Sequence, residues 1–138
     1  MSHLVRFGIS IDHELIEKFD TLIKQKNYQN RSEAIRDLIR ESLVEEEWQH
    51  NQQIIGAIAL VYDHHKRQLV NKLLDIQHNF HDVVLSSQHI HIDHNNCLEI
   101  MIVKGLSDLI KGFYNKIKAI KGVKHINIIK STSGIELR

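Results

Sequence analysis

The chain reads as an α+β protein in two parts: a strand-helix-helix start that pairs with a second copy, then a β-α-β-β-α-β unit of the ferredoxin-like plan. Three observations predict this. Residues 4–12 alternate apolar and polar side chains with period two, four later stretches have strand character, and the segments between them carry apolar residues every three or four positions. The 138 residues suffice for one domain, or for a small domain and a second piece.

In LVRFGISID, residues 4–12, Val5, Phe7, Ile9 and Ile11 fall on one face and Arg6, Gly8 and Ser10 on the other. Asp12 is placed to cap a helix over roughly 13–26, with Leu15, Ile16, Phe19, Leu22 and Ile23 as its stripe. Asn27 to Asn30 form a polar turn. Asn30 followed by Glu33 opens a second helix, whose stripe is Ile35, Leu38, Ile39, Leu43 and Val44, ending near Trp48. About 45 residues with one unpaired strand cannot bury a core alone, so two such strands pair in a dimer.

Residues 49–53, QHNQQ, are polar and predict a linker. The domains are then residues 1–48 and 54–138. Residues 54–62 are a nearly continuous apolar run, expected of a strand covered on both faces. Asp63 is expected to cap a helix over 64–79, with Leu69, Val70, Leu73, Leu74 and Ile76 inward. Strands at 82–92 and 97–104 flank a hairpin through Asp93 to Asn96, and Gly105 is expected to end the second. Ser107 is expected to cap a helix with Leu106, Leu109, Ile110, Phe113, Ile117 and Ile120 on its inner face and Lys121-Gly122 as its stop. A last strand covers 125–131.

The net charge of +1 argues for no partner, and residues 1–50 hold 7 basic against 10 acidic side chains. Nucleic-acid binding must therefore rest on placement of charges. One cysteine excludes an intrachain disulfide framework, and no signal-like or membrane-spanning apolar run is present, which predicts a cytoplasmic protein.

His89, His91 and Cys97, in HIHIDHNNC, carry metal-ligand chemistry. On a strand, residues two apart leave one face, and an antiparallel return brings its partner within about 5 Å. Cys97, Glu99, Met101 and Val103 share a face of that return strand. His78, near the end of the preceding helix, is a fourth candidate, supplied from the same or from a second subunit. Three imidazoles and a thiolate suit Ni(II), Cu(II) or Zn(II). Glu99 is placed to hold a ligating ring in one tautomer. A solvated face with two histidines beside a small core cysteine would share this pattern, and the residues alone leave both readings standing. His64, His65, His81 and His94 read as exposed, with a weak accessory site open to some of them.

Arg6, Gly8 and Ser10 form the face that a two-stranded ribbon presents to base edges in a major groove. The second helix starts at Asn30-Arg31-Ser32, where backbone N–H groups suit phosphate. A wet protein surface carries the same residue types.

RFGISID, NYQNRSEAIRDLIR, the helix ending DIQH, HIHIDHNNCLEIMIVKG and KGVKH together resemble the nickel-responsive transcriptional regulators of the NikR family, over nearly the whole chain. The resemblance implies a ribbon-helix-helix dimer at each end of a homotetramer whose centre is four ACT-type regulatory domains. It implies square-planar Ni(II), one per subunit, held by His89, His91 and Cys97 of one chain and His78 of another. It implies base contacts from Arg6, Gly8 and Ser10 to operator DNA. Gly8 departs from the pattern, where the family usually has a hydroxyl residue, which bears on the operator sequence and not on the mode of docking. Glu33 and Asp37 match positions that bind a second cation when DNA is engaged. Read alone they are a like-charged pair eased by Arg36 and Arg40.

The implied function is nickel-dependent repression of nickel uptake genes, not an enzyme. The alternatives are an ACT-type regulator sensing another metal or a small molecule, a nickel store or chaperone, and a metalloenzyme. Four protein ligands tell against the last, since catalytic ions keep a position for water or substrate. A store or chaperone would leave the first 48 residues without a purpose.

Overall fold

The computed structural model describes residues 3–137. The chain divides into two compact units, one running through Leu43 and taking in the last residues from Glu136, the other spanning Val44–Ile135.

In the first unit, helix α1 is His13–Gln25 and helix α2 begins at Arg31, running to Gln49. Asp12 caps α1 as its spacing predicts, its Oδ1 accepting the Glu14 N–H at 3.0 Å. Asn30 Oδ1 accepts the Glu33 N–H at 2.9 Å at the start of α2. Asn27 turns the chain between them at φ 64°, a conformation asparagine tolerates. Arg31 locks the two helices together with a forked pair of hydrogen bonds to Asp20, both 2.8 Å.

The strand expected at 4–12 is not formed in the single chain: residues 3–12 carry no ladder hydrogen bonds. The reason is the lack of a partner strand. Val5, Phe7, Ile9 and Ile11 are 81, 70, 63 and 42% exposed, and Leu38, Ile39 and Leu43 of α2 also face out. Among the described residues of this unit only Ile23 and Ala34 are buried, too little apolar contact for an independent core.

The second unit holds β1 (Gln53–Asp63), α3 (Arg67–Asn79), β2 (Val84–His91), β3 (Asn96–Leu106), α4 (Ser107–Lys118) and β4 (Val123–Lys130). The sheet order is β2-β3-β1-β4, with all neighbours antiparallel. This is the ferredoxin-like arrangement. Leu69 and Leu73 of α3 and Ile110, Phe113 and Ile117 of α4 close one core with Ile58, Leu60, Met101 and Val103 of the sheet.

Trp48, from the last turn of α2, belongs to that core at 1% exposure. Its indole N–H donates to Ser131 O at 2.8 Å, and its own carbonyl accepts from Lys111 Nζ at 2.6 Å. The compact unit therefore starts at Val44, ahead of the boundary expected after residue 48. The polar linker expected at 49–53 shortens to residues 50–52. These are tied down: Gln52 O accepts the Ser107 N–H at 3.0 Å and Asn51 Oδ1 the Asp108 N–H at 3.1 Å.

Asn51, not Ser107, thus caps α4. Leu106 is its N-cap residue, and the buried Ser107 Oγ has no hydrogen-bond partner. Leu106 and Leu109 are exposed, because the inner stripe of α4 starts one turn later at Ile110. Gly105, at φ 154°, sits inside β3 instead of ending it. Asp63 does not cap α3, whose N-cap is Lys66; its carboxylate closes the turn before it by accepting the His65 N–H at 2.9 Å. β1 is buried on one face and half-buried on the other, not covered on both, because both helices lie on one side. No helix among the described residues is long and apolar enough to cross a membrane.

Candidate metal centre

The antiparallel register of β2 and β3 sets His91 opposite Cys97 and His89 opposite Glu99. Paired residues project to the same face, so two imidazoles, a thiol and a carboxyl share one side of the hairpin. It is the side that packs the helices. Cys97 is fully buried and Glu99 7% exposed, whereas His89 and His91 are exposed on the edge strand. The hairpin between them is closed by Asp93, whose Oδ1 accepts the Asn95 and Asn96 N–H groups at 2.9 and 2.8 Å. The Asn96 side-chain amide, which donates to both Asp93 oxygens at 3.1 Å, and then these backbone bonds hold the Asp93 carboxyl below the usual carboxylate range.

Glu99 is the hub of a buried polar network. Its carboxyl accepts from Tyr62 Oη at 2.9 Å, Ser87 Oγ at 2.9 Å and Gln77 Nε2 at 3.1 Å. The Tyr62 oxygen lies 3.2 Å from His89 Nε2. Since the single hydroxyl proton of Tyr62 goes to Glu99, this network assigns the proton of His89 to Nε2 and leaves the Nδ1 lone pair free. A ring held by a donor bond on one nitrogen is oriented to ligate through the other. Burial, and then the neighbouring Glu99, push the Tyr62 hydroxyl well above the ordinary phenol range. Glu99 therefore reaches the His89 ring through Tyr62 and not directly.

Burial also pushes the Cys97 thiol up from its ordinary value, against a lowering hydrogen bond to Tyr62. Its Sγ stands 3.5 Å from Tyr62 O. Removing that proton needs a compensating positive charge, and a divalent ion supplies one. Two imidazoles, one thiol that resists ionisation without a cation, and a carboxyl that sets a ring tautomer fit a nitrogen- and sulfur-seeking metal.

His78 does not join them in the single chain. Gln77 points from the last turn of α3 to Glu99, and His78, a further 100° round the helix, is exposed with its ring 6.3 Å from that of His81. His78, His89, His91 and Cys97 do not converge here. Among the described residues, the group of at least three possible ligands with atoms within 4.8 Å of one another is Asp63, His64 and His65. Asp63 ends β1, and His64 and His65 form the turn after it, where the spacing predicts the start of a helix.

The predicted DNA-facing side chains lie in the first unit. Arg6, Gly8 and Ser10 are exposed, and the space beside Gly8 is open. Asn30 and Ser32 are exposed, but the Glu33 N–H is already taken by Asn30 and the Arg31 guanidinium by Asp20. That pairing lowers the Asp20 pKa and raises that of Arg31. Glu33 and Asp37 line a shallow cleft with Tyr28, Arg36 and Arg40. Asp37 accepts from Tyr28 Oη at 2.7 Å and pairs with Arg40 at 3.4 Å. Arg36, expected to ease the acidic pair, instead donates to Ser32 O at 3.3 Å.

The model of the NikR C-terminal nickel binding domain matches residues 55–131, and that of ribbon-helix-helix proteins of the copG family matches residues 5–46. Proteins named as nickel-responsive regulators are similar over nearly the whole chain. One from Syntrophus aciditrophicus is 56% identical, covering 98% of this chain and 97% of its own. Another from Chlorobaculum parvum is 52% identical over 96% and 99%, and one from Nitratidesulfovibrio vulgaris 46% identical over 99% of each. A solved structure of an uncharacterised protein from Thermotoga maritima superimposes with a TM-score of 0.52 at 16% identity, covering 56% of this chain and 96% of that one. That likeness concerns the fold alone.

Proposed function

The chain belongs to the NikR family of nickel-responsive regulators, and from that premise we propose that it is a cytoplasmic, Ni(II)-controlled DNA-binding regulator that represses nickel uptake. The observation that carries the reading is the pairing of His91 with Cys97 and of His89 with Glu99 across one ladder. His89, His91 and Cys97 of one chain and His78 of a second hold one Ni(II) per subunit. The exposed position of His78 and its separation from the hairpin support supply from another chain.

Two apolar surfaces support assembly. The row Val5, Phe7, Ile9 and Ile11 is exposed, with no partner strand among the described residues, and pairing it with a second copy forms the two-stranded ribbon. On the sheet face away from the helices, Ile55, Ala57, Leu98, Ile100 and Ile102 are half-buried and Ile129 is 62% exposed. A homotetramer, as a dimer of dimers, covers both.

What the ion supplies when bound is a link between donors on two chains. The chain's own residues do the rest. Cys97 releases a proton to become a ligand, Tyr62 holds the His89 ring, and Glu99 holds Tyr62. The ribbon then presents Arg6, Gly8 and Ser10 to base edges while the start of α2, Asn30 to Ser32, meets phosphate. Arg31 reaches phosphate only by leaving Asp20. Glu33 and Asp37 take a second cation on this reading, which requires Asp37 to give up Tyr28 or Arg40. Coupling is reciprocal, so operator DNA raises nickel affinity by the factor by which nickel raises DNA affinity.

A gel-shift titration against the DNA upstream of the chain's own gene tests this, with Ni(II) or chelator, for wild type and His89→Ala. Nickel is expected to tighten binding by wild type and not by the variant. An affinity indifferent to stoichiometric nickel overturns the reading.

A further inference from the structure

Arg31, the basic side chain in the first turn of α2, is held by a carboxylate before any phosphate reaches it. Its Nε and Nη2 donate to the two oxygens of Asp20, both at 2.8 Å. These N–H groups form one edge of the planar fork, the edge with which a guanidinium grips a carboxylate or a phosphate alike. Asp20 and a phosphate therefore exclude each other there.

The pair is one tie among several between α1 and α2. The Tyr28 N–H donates to Ile23 O at 2.9 Å, the Asn27 N–H to Lys24 O at 3.0 Å, and Asn30 accepts from the first turn of α2. The Arg31 and Asp20 side chains are 56 and 38% exposed, a setting in which a charge pair adds little to stability and stays open to exchange. Glu33 is the other charged side chain of that turn, so with Arg31 neutralised by Asp20 the turn carries net negative charge. Such a charge repels the phosphates that the start of α2 is to meet.

We propose that Asp20 is an internal competitor for DNA phosphate, an autoinhibitory contact that holds down the backbone affinity of each ribbon-helix-helix dimer until a phosphate displaces it from Arg31. This role rests on the proposed meeting of the start of α2 with phosphate. Phosphate contacts supply most of the affinity for DNA of any sequence, so a competitor at Arg31 lowers binding to operator and to unrelated DNA together. Each dimer then binds weakly by itself, and tight binding needs two ribbons engaged at once, whose contributions multiply.

Fluorescence anisotropy of the full-length protein tests it, with labelled duplexes of the upstream DNA and of unrelated sequence, in saturating Ni(II) and in chelator, over a series of KCl concentrations. Asp20→Asn and Asp20→Ala are each expected to tighten binding to both duplexes, by about 2–30-fold for the two Arg31 side chains of a dimer, and to steepen its dependence on salt. Arg31→Ala is expected to weaken binding. The opposite signs separate a competitor from a structural tie, since loss of a tie weakens binding whichever partner is removed. Glu17, which pairs with His13, controls for charge: Glu17→Gln removes one negative charge from α1 and is expected to leave affinity within about twofold. Asp20 variants that bind no tighter than wild type, or a Glu17 variant that gains as much as they do, overturn the competitor while Arg31→Ala still upholds the phosphate contact. An Arg31→Ala variant that binds as tightly as wild type overturns that contact, and the competitor with it.

Discussion

His91 and Cys97 stand directly opposite each other across the β2–β3 ladder, the imidazole exposed and the thiol fully buried. The pair joins a solvent-accessible donor to one that burial keeps protonated. On the proposed ligand set an ion entering from the exposed side would have to draw the proton off Cys97, and this asymmetry has measurable consequences.

The first concerns the thiol itself. Its raised pKa, caused mainly by burial, predicts slow alkylation of the metal-free native protein at pH 8 and rapid alkylation after unfolding in urea. A group that binds its proton more tightly when folded costs no stability below the unfolded thiol pKa of about 8.5 and weakens the fold as pH rises above it. Nickel affinity has the opposite slope. Displacing the thiol proton makes it rise with pH, by up to about tenfold per unit below the thiol pKa. Isothermal titration at pH 6.5, 7.5 and 8.5 checks the direction.

Tyr62→Phe removes a donor from buried Glu99 and the anchor from His89. It is expected to cost about 1–3 kcal/mol of stability in urea unfolding and to weaken nickel binding by about 10–100-fold. A variant with wild-type nickel affinity would show that the His89 ring is held by something else.

Trp48→Ala opens a cavity in the core of the second unit and frees Ser131 O, so a loss of about 3–5 kcal/mol is expected. Gly56→Ala attacks the same contact from the other side. A Cβ there would lie 2.9 Å from Ile129 O and 3.1 Å from the Trp48 ring, and overpacking of this kind costs about 1–3 kcal/mol. Denaturant midpoints of the two variants measure both.

The β-α-β-β-α-β order and the face shared by His89, His91 and Cys97 were legible because period-two and helical spacings are local properties of the chain. The quoted motifs carried the family likeness for the same reason. What escaped depended on contacts between residues far apart in sequence. Asn51 caps a helix 57 positions away, and no local pattern marks it. Trp48 reads as the end of a helix stripe, yet its hydrogen bond to Ser131 spans 83 positions and moves the unit boundary. The place of Glu99 on the same face as Cys97 was legible from its spacing, while its link to His89 through Tyr62 was not, since Tyr62 comes from a neighbouring strand. The strand expected at 4–12 rested on alternation alone, and among the described residues there is no strand for it to pair with.

The most direct test of a centre shared between subunits is to mix two inactive variants. His78→Ala and Cys97→Ala each lack a ligand in every site of their own assemblies. After exchange of subunits, sites combining His78 of one variant with His89, His91 and Cys97 of the other are complete. The thiolate-to-nickel band and nickel-dependent DNA binding are expected to return in the mixture alone. A mixture as silent as its components, with subunit exchange verified by mass spectrometry, would contradict a nickel centre divided between chains.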